Sequence, residues 1–214
     1  SPNFDMYIKD IALSPVHDDP EHEPPAYYLP VLPLVLLNGA SGIATGFATN
    51  IIPRSEKTVR KAIREILDKG KITTQLQVEF PDFRGTVVYD AASNRYICKG
   101  IWRKVGGTRL LIEEIPYGFD RENYIKILDD LEDAGEIVGY DDQTDSRGFR
   151  FDVKLKQQTS AKWTDEQVER KFKLAKTHAE NLNVIGPAND LREYDDPKQL
   201  IIDFVDFRLG VLQQ

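Results

Sequence analysis

Residues 32–54 read Leu-Pro-Leu-Val-Leu-Leu-Asn-Gly-Ala-Ser-Gly-Ile-Ala-Thr-Gly-Phe-Ala-Thr-Asn-Ile-Ile-Pro-Arg. An apolar run ends in Asn38-Gly39, and Gly42 and Gly46 follow among small residues. Three glycines in eight positions let a backbone bend sharply and approach another surface closely. Two phosphate-binding fingerprints are excluded by spacing. A P-loop needs Gly-Lys-Ser/Thr at its second glycine, whereas Gly46 is followed by Phe47, and Gly39, Gly42 and Gly46 do not make G-x-G-x-x-G. Two readings remain at this level: a tight buried turn between core elements, or a loop whose bare backbone meets a partner.

Downstream of this stretch the patterning alternates between helix and strand. Ser55 follows Pro53 as an N-cap, Val59, Ile63, Ile66 and Leu67 form one stripe, and Gly70 stops the helix. Lys57, Arg60, Lys61 and Arg64 fall on its opposite face. Asp120 caps a second helix with Tyr124, Ile127, Leu128 and Leu131 inward and Gly135 as its stop. Thr164 to Gln167 is a capping box opening a third, through Val168 and Phe172. Asp196-Pro197 starts a last helix running through Leu200, Ile201, Phe204, Val205 and Leu209.

Thr86 to Tyr89 and Tyr96 to Lys99 flank the turn-rich Ala91 to Asn94 as a hairpin. Arg109 to Ile115 and Glu136 to Tyr140 read as further strands. Phe149, Phe151, Val153 and Leu155 alternate with Arg150, Asp152, Lys154 and Lys156 in another. The fold class predicted is α+β: a mixed or antiparallel sheet layer with packed helices, ending in the start of a long helix. The chain divides as an extended acidic arm over 1–31, the Gly-rich segment over 32–54, an α+β domain over 55–195 and the start of a helical arm over 196–214.

The 214 residues carry 28 basic and 35 acidic side chains, a formal charge of −7. That balance excludes uniform coating of nucleic acid. The charges are nevertheless sorted. Arg54 to Lys71 holds seven bases against three acids, Arg95 to Arg109 five bases and no acid, and Asp129 to Asp145 eight acids and no base. This is either a set of solvated faces or a basic footprint on an acidic body. The lone Cys98 excludes an internal disulfide and fits a reducing, cytoplasmic compartment, and His17, His22 and His178 lack zinc spacing. His178 reads as a dipole partner near a helix end. Asp141, Asp142 and Asp145 could hold a hard cation, but a solvated loop is the better reading of them, and His17, Asp18, Asp19, His22 and Glu23 resemble a metal cluster by composition alone, their proline neighbours indicating an extended arm. Leu29 to Leu37 is too short and too proline-rich to span a bilayer, and no signal peptide is seen. A start at Ser1-Pro2 and an end within a helix lead us to expect a fragment of a longer polypeptide.

Asn38 to Ile51 resembles the N-G-x-x-G-I-A-x-G-x-A-T-N-I segment of the DNA-cleaving subunit of type IIA topoisomerases, the gyrase A and topoisomerase IV group. The resemblance covers nearly the whole chain. Pro81-Asp82-Phe83-Arg84-Gly85 is similar to the family's P-D-F-x-G turn, Ile115-Pro116-Tyr117 to its L-P-Y, and Asp145 to Arg150 to its S-D-R-x-G-x-R segment. The sequence between motifs looks closest to the bacteriophage members of the family. Several motifs in the family's order are far more specific than any one of them.

The resemblance implies a tower-like α+β domain and a DNA-bending role, with Ile43 matching the isoleucine that relatives wedge between bases. Asn38, Ser41 and Thr45 would then donate to phosphates, with Arg54, Lys57, Arg60 and Lys61 beside them. It implies double-stranded DNA as partner, ATPase and metal-binding subunits that supply ATP and Mg2+ chemistry, and a homodimer of the intact subunit. No metal ligand or cofactor is expected on this chain itself. The family's nucleophilic tyrosine stands in an Arg-Tyr pair before the Gly-rich segment. Here only Tyr96 follows an arginine, and Tyr7, Tyr27 and Tyr28 lack that context, so the nucleophile is expected upstream of Ser1. The family's N-I-P-P-H-N is replaced by Asn50-Ile51-Ile52-Pro53-Arg54-Ser55, so no histidine role passes to Arg54. The competing reading is a non-catalytic α+β interaction module whose Gly-rich segment is a buried turn. A metal hydrolase is a third possibility.

Overall fold

In the computed structural model, described over residues 29–156 and 162–213, the chain forms two compact units, Ser1–Glu79 with Glu180–Gln214, and Phe80–Ala179. The divisions fall at 79/80 and 179/180, rather than at 54/55 and 195/196. The helix after Ser55 and the strands before Asp196 therefore belong with the Gly-rich segment.

The first unit is built from helix α1 (Leu34–Asn38), strands β1 (Ala40–Ala44) and β2 (Phe47–Ile51), and helix α2 (Glu56–Lys69). After the second unit has been traversed, strands β10 (Leu182–Ile185) and β11 (Leu191–Tyr194) and helix α5 (Pro197–Leu212) complete it. The core joins Leu36, Ile51, Val59, Ala62, Leu182, Leu200, Ile201 and Val205. Both long helices are positioned by the stripes legible in the sequence, except that Leu67 and Leu209, at the outer ends of those stripes, are exposed. Ser55 is the N-cap of α2, but its hydroxyl makes no capping bond; its carbonyl takes the Val59 N–H at 3.0 Å instead. The Asp196 carboxylate does cap α5, accepting from Lys198 N–H at 2.8 Å.

Past α2, Glu65 holds the chain reversal. Its carboxylate accepts from the backbone N–H and the hydroxyl of both Thr73 and Thr74, at 2.7 to 3.0 Å. Those donors, the Thr74 and Thr73 amides first, favour the charged form and pull the Glu65 carboxyl down to about 2. A group with a depressed folded pKa stabilises fully above its unfolded value, ~4.3, and loses that contribution as pH falls towards the folded one. Acid unfolding followed by circular dichroism should therefore show a stability loss between about pH 4.5 and 2 that is smaller in Glu65→Gln. An unchanged pH profile would remove this role for Glu65.

The second unit contains β3 (Thr86–Asp90), β4 (Arg95–Lys99), β5 (Ile101–Val105), β6 (Arg109–Glu114), helix α3 (Arg121–Asp133), β7 (Gly139–Asp142), β8 (Phe151–Lys154), helix α4 (Asp165–Lys171) and β9 (Ala175–Ala179). Two antiparallel sheets result, ordered β3-β4-β9 and β5-β6-β8-β7. All ladders among the described residues are antiparallel, and the architecture is the α+β class predicted. The Asp120 cap on Asn123 N–H and the Thr164–Gln167 capping box form as the sequence indicates. Leu110, Ile112, Tyr124, Leu128, Phe151, Val153 and Phe172 fill the core. The strand read from Glu136 starts only at Gly139, because the chain leaves α3 through a turn at Gly135.

His178 corrects an expectation. It sits within β9, its Nε2 3.1 Å from the Tyr117 carbonyl and its ring 5.5 Å from that of Phe80, and no helix end is involved. Burial first, then the Lys176 charge, lowers its pKa from the ordinary value.

Candidate functional site

The Gly-rich segment is an antiparallel hairpin. Ala40 pairs with Ile51, Gly42 with Thr49, Ile43 with Ala48 and Ala44 with Phe47, leaving Thr45-Gly46 as a two-residue loop. Gly46 takes φ +86°, a region other residues adopt only under strain. At the root, Gly39 takes φ +69°, and a Cβ there would stand 2.7 Å from the Ile51 carbonyl oxygen. Those two glycines are required by the fold. The buried-turn reading is overturned: Ser41, Gly42, Ile43, Thr45, Gly46, Phe47 and Ala48 are all exposed. Ile43 is 94% exposed.

The hairpin is anchored at its root. Ile51 is buried, and Asn50 and Asn181 exchange backbone hydrogen bonds at 3.0 Å. The Asn183 side-chain amide donates to the Ala48 carbonyl at 2.8 Å. Beyond those ties the strands project from the core. Ile43 thus forgoes about 1.5–3 kcal/mol of burial in the free chain. Nothing among the described residues accounts for an isoleucine there.

Of the other predicted contacts, Asn38 lies exposed at the end of α1, and Ser41 and Thr45 lie on the hairpin itself. Lys57, Arg60, Lys61 and Arg64 form an exposed face of α2, which starts five residues after β2. Arg60 is bonded to Glu56 at 2.6 Å, a surface i,i+4 pair of little strength. No carboxylate among the described residues pairs with Lys57, Lys61 or Arg64.

Arg54 does not belong to that face, which corrects the sequence reading. It is 2% exposed, and its two terminal nitrogens each lie 2.6 Å from a Glu180 carboxylate oxygen. Glu180 also accepts the Ile52 N–H at 2.9 Å, and Arg54 donates a further bond to the Ile52 carbonyl. The pair fastens the exit of β2 to the segment leading into β10. An arginine following Pro53 gives no sign of this, because its partner is 126 residues away.

The second basic block is also altered by folding. Lys99 pairs with Glu169, Arg103 with Glu113, Lys104 with Asp165 and Arg109 with Asp152, so four of its five bases meet carboxylates from other elements. The Asp152 carboxyl is held below the usual range chiefly by its hydrogen bonds to Arg109. Asp152 is buried although the strand alternation places it outside, because Arg109 covers it.

Two of the sequence motifs meet here. Arg84 of the Pro81–Gly85 turn lies against Gly148, where a Cβ would come within 2.7 Å of Nη2. Arg84, Glu113, Arg147 and Arg150 line one cleft of about 450 Å³. Asp141 pairs with Lys154, Asp142 with Arg121 and Asp145 with Arg147. Among the described residues no three His, Cys, Asp or Glu side chains gather to hold a metal. Among them too, no helix is long and apolar enough to cross a membrane. Tyr96 pairs with Tyr89 across β3 and β4, their rings 5.1 Å apart. His17, His22, Tyr7, Tyr27 and Tyr28 lie outside the described residues.

The comparisons with known proteins agree with this arrangement. The family model that describes the A subunit of DNA gyrase/topoisomerase IV matches residues 7–214. The DNA topoisomerase medium subunit of Enterobacteria phage T4 is 43% identical over 219 residues, covering 100% of this chain and 49% of that protein. DNA topoisomerase 2 of Arabidopsis thaliana is 26% identical over 206 residues, 93% of this chain and 14% of the plant protein. The solved DNA-binding, cleavage and re-ligation domain of Plasmodium falciparum topoisomerase II superposes with a TM-score of 0.84 at 25% identity, over 94% of this chain and 28% of that one. The chain spans about half the length of its phage relative. With the family profile matching almost end to end and the motif-bearing hairpin intact, the chain belongs to the gyrase A/topoisomerase IV family of DNA topoisomerases.

Proposed function

We propose that this chain supplies the DNA-binding and DNA-bending surface of a type IIA topoisomerase. That enzyme makes a transient double-strand break and passes a second duplex through it, with ATP driving the cycle. The observation that carries the reading is the hairpin tip: a fully exposed isoleucine on a short arm beyond the core. An apolar wedge entering a base step costs a few kcal/mol of unstacking, offset by the larger surface that bent DNA covers. On this reading Asn38, Ser41 and Thr45 would donate hydrogen bonds to phosphates, and Lys57, Arg60 and Lys61 on α2 would extend the contact.

On this reading the chain cuts nothing by itself. The nucleophilic tyrosine, the ATP site and the magnesium carboxylates come from elsewhere in the intact assembly: an upstream tyrosine, ATPase and metal-binding subunits, and a second copy of the same polypeptide. The setting is the cytoplasm in which the DNA lies.

Salt dependence tests the contact surface. Duplex binding by this chain should weaken linearly in log–log terms as salt rises, with a slope near −0.9 per phosphate neutralised. Lys57→Ala and Lys61→Ala should each lower that slope by about 1 while leaving folding intact. Absence of duplex affinity even at ~50 mM salt would instead favour a protein-docking module.

A further inference from the structure

The hairpin carries a second apolar side chain at its tip that the isoleucine wedge does not explain. Strand alternation places Ile43 with Ser41, Ala48 and Asn50 on one face, and Phe47 with Gly42, Thr49 and Ile51 on the other. Along β2 the second row leaves the core as it goes: Ile51 is buried, Thr49 half-buried and Phe47 50% exposed. Phe47 is absent from the core cluster at the root, so folding does not call for a ring there.

Gly42 lies on the Phe47 face. A Cβ at Gly42 would meet only Thr49 Cγ2, at 3.8 Å, and its φ is not positive. The fold would accept a side chain there, and the glycine leaves the strip alongside Phe47 bare. An exposed flat ring beside bare backbone suits a flat apolar partner such as the face of a sugar.

We propose that Phe47 is a positioning residue for the bent duplex, packing against the deoxyribose that flanks the step opened by Ile43 and so fixing the direction of the bend. The proposal rests on the DNA-bending reading of the hairpin. With Ile43 facing one way and Phe47 the other, the arm grips two successive surfaces of one strand. A wedge alone opens a step but leaves the duplex free to swing about it, whereas a second contact on the opposite face removes that freedom.

The test uses the 214-residue chain and a duplex carrying 2-aminopurine at the bent step and dyes at both ends. The purine reports unstacking by Ile43, and energy transfer between the dyes reports the bend. Phe47→Ala should keep the unstacking signal while weakening binding about tenfold and giving a lower, broader transfer distribution; Phe47→Tyr, which keeps the flat ring, should restore both. Wild-type affinity and transfer in Phe47→Ala would overturn the proposal. So would a loss of unstacking as complete as in Ile43→Ala, since Phe47 would then be part of the wedge. If the wild-type chain itself gives no unstacking, the bending reading has failed, an outcome separable from failure of Phe47 alone.

Discussion

Replacing Ile43 by alanine should make the bent duplex the minority form while leaving the folded chain as stable as before. At 94% exposure the side chain makes almost no contacts in the free protein, so the melting temperature should not move measurably. In the complex the same side chain would pass from water into the base stack. Removing most of it forfeits about 2 kcal/mol of apolar burial, a factor of about 30 in the ratio of bent to straight duplex. That loss is comparable to the unstacking cost of a few kcal/mol that the wedge must meet, so the bent state should pass from majority to minority. Energy transfer between dyes at the duplex ends, measured at saturating chain, reads this directly. Equal transfer for the wild type and Ile43→Ala would sink the proposed role.

Arg54→Ala should do the reverse, damaging the fold first. Its guanidinium side chain is 1% exposed and that of Glu180 12%. Removing the arginine leaves a largely buried carboxylate that, among the described residues, keeps the Ile52 N–H as its hydrogen-bond donor. Breaking such a pair costs about 3–5 kcal/mol, and for a chain of this size that is a fall of roughly 10 °C in melting temperature. Glu180→Gln should cost less, because an amide retains an acceptor for the Ile52 N–H. Apolar replacement of both partners should recover much of the loss. The double-mutant cycle measures the coupling, and because the pair is shielded from solvent, added salt should change it little. An Arg54→Ala chain that melts normally but binds duplex with a shallower salt slope would return Arg54 to the DNA-facing side.

The two substitutions lie eleven positions apart on one stretch and are expected to act oppositely, and sequence alone could not order them. Both residues follow runs of small and apolar neighbours, and the basic block from Arg54 to Lys71 reads as continuous. Only the structure separates Arg54, turned inward to Glu180, from Lys57, Lys61 and Arg64, turned outward on α2. The same holds for Arg95 to Arg109. As a string it is the most basic block of the chain, and as a folded unit four of its five bases are met by Glu113, Asp152, Asp165 and Glu169. The two readings of the charge pattern therefore divide between segments, with an open basic face on α2 and ion-paired strands in the second unit.

What local sequence determined on its own were features whose physical cause is local. The Asp120 and Thr164 caps, the helix starts at Ser55 and Asp196, and the β3–β4 hairpin each depend on side chains within a few positions of one another, so their pattern is complete in the string. The family motifs were legible for the same reason. Tertiary structure decided whatever depends on partners far along the chain: the antiparallel pairing of β9 with β4, the division into two units, the burial of Arg54 and the exposure of Ile43. Exposure and ion pairing are sums over neighbours that folding brings together. An isoleucine among small residues fits either a buried turn or an exposed arm until the hairpin is seen to extend past the core that anchors it.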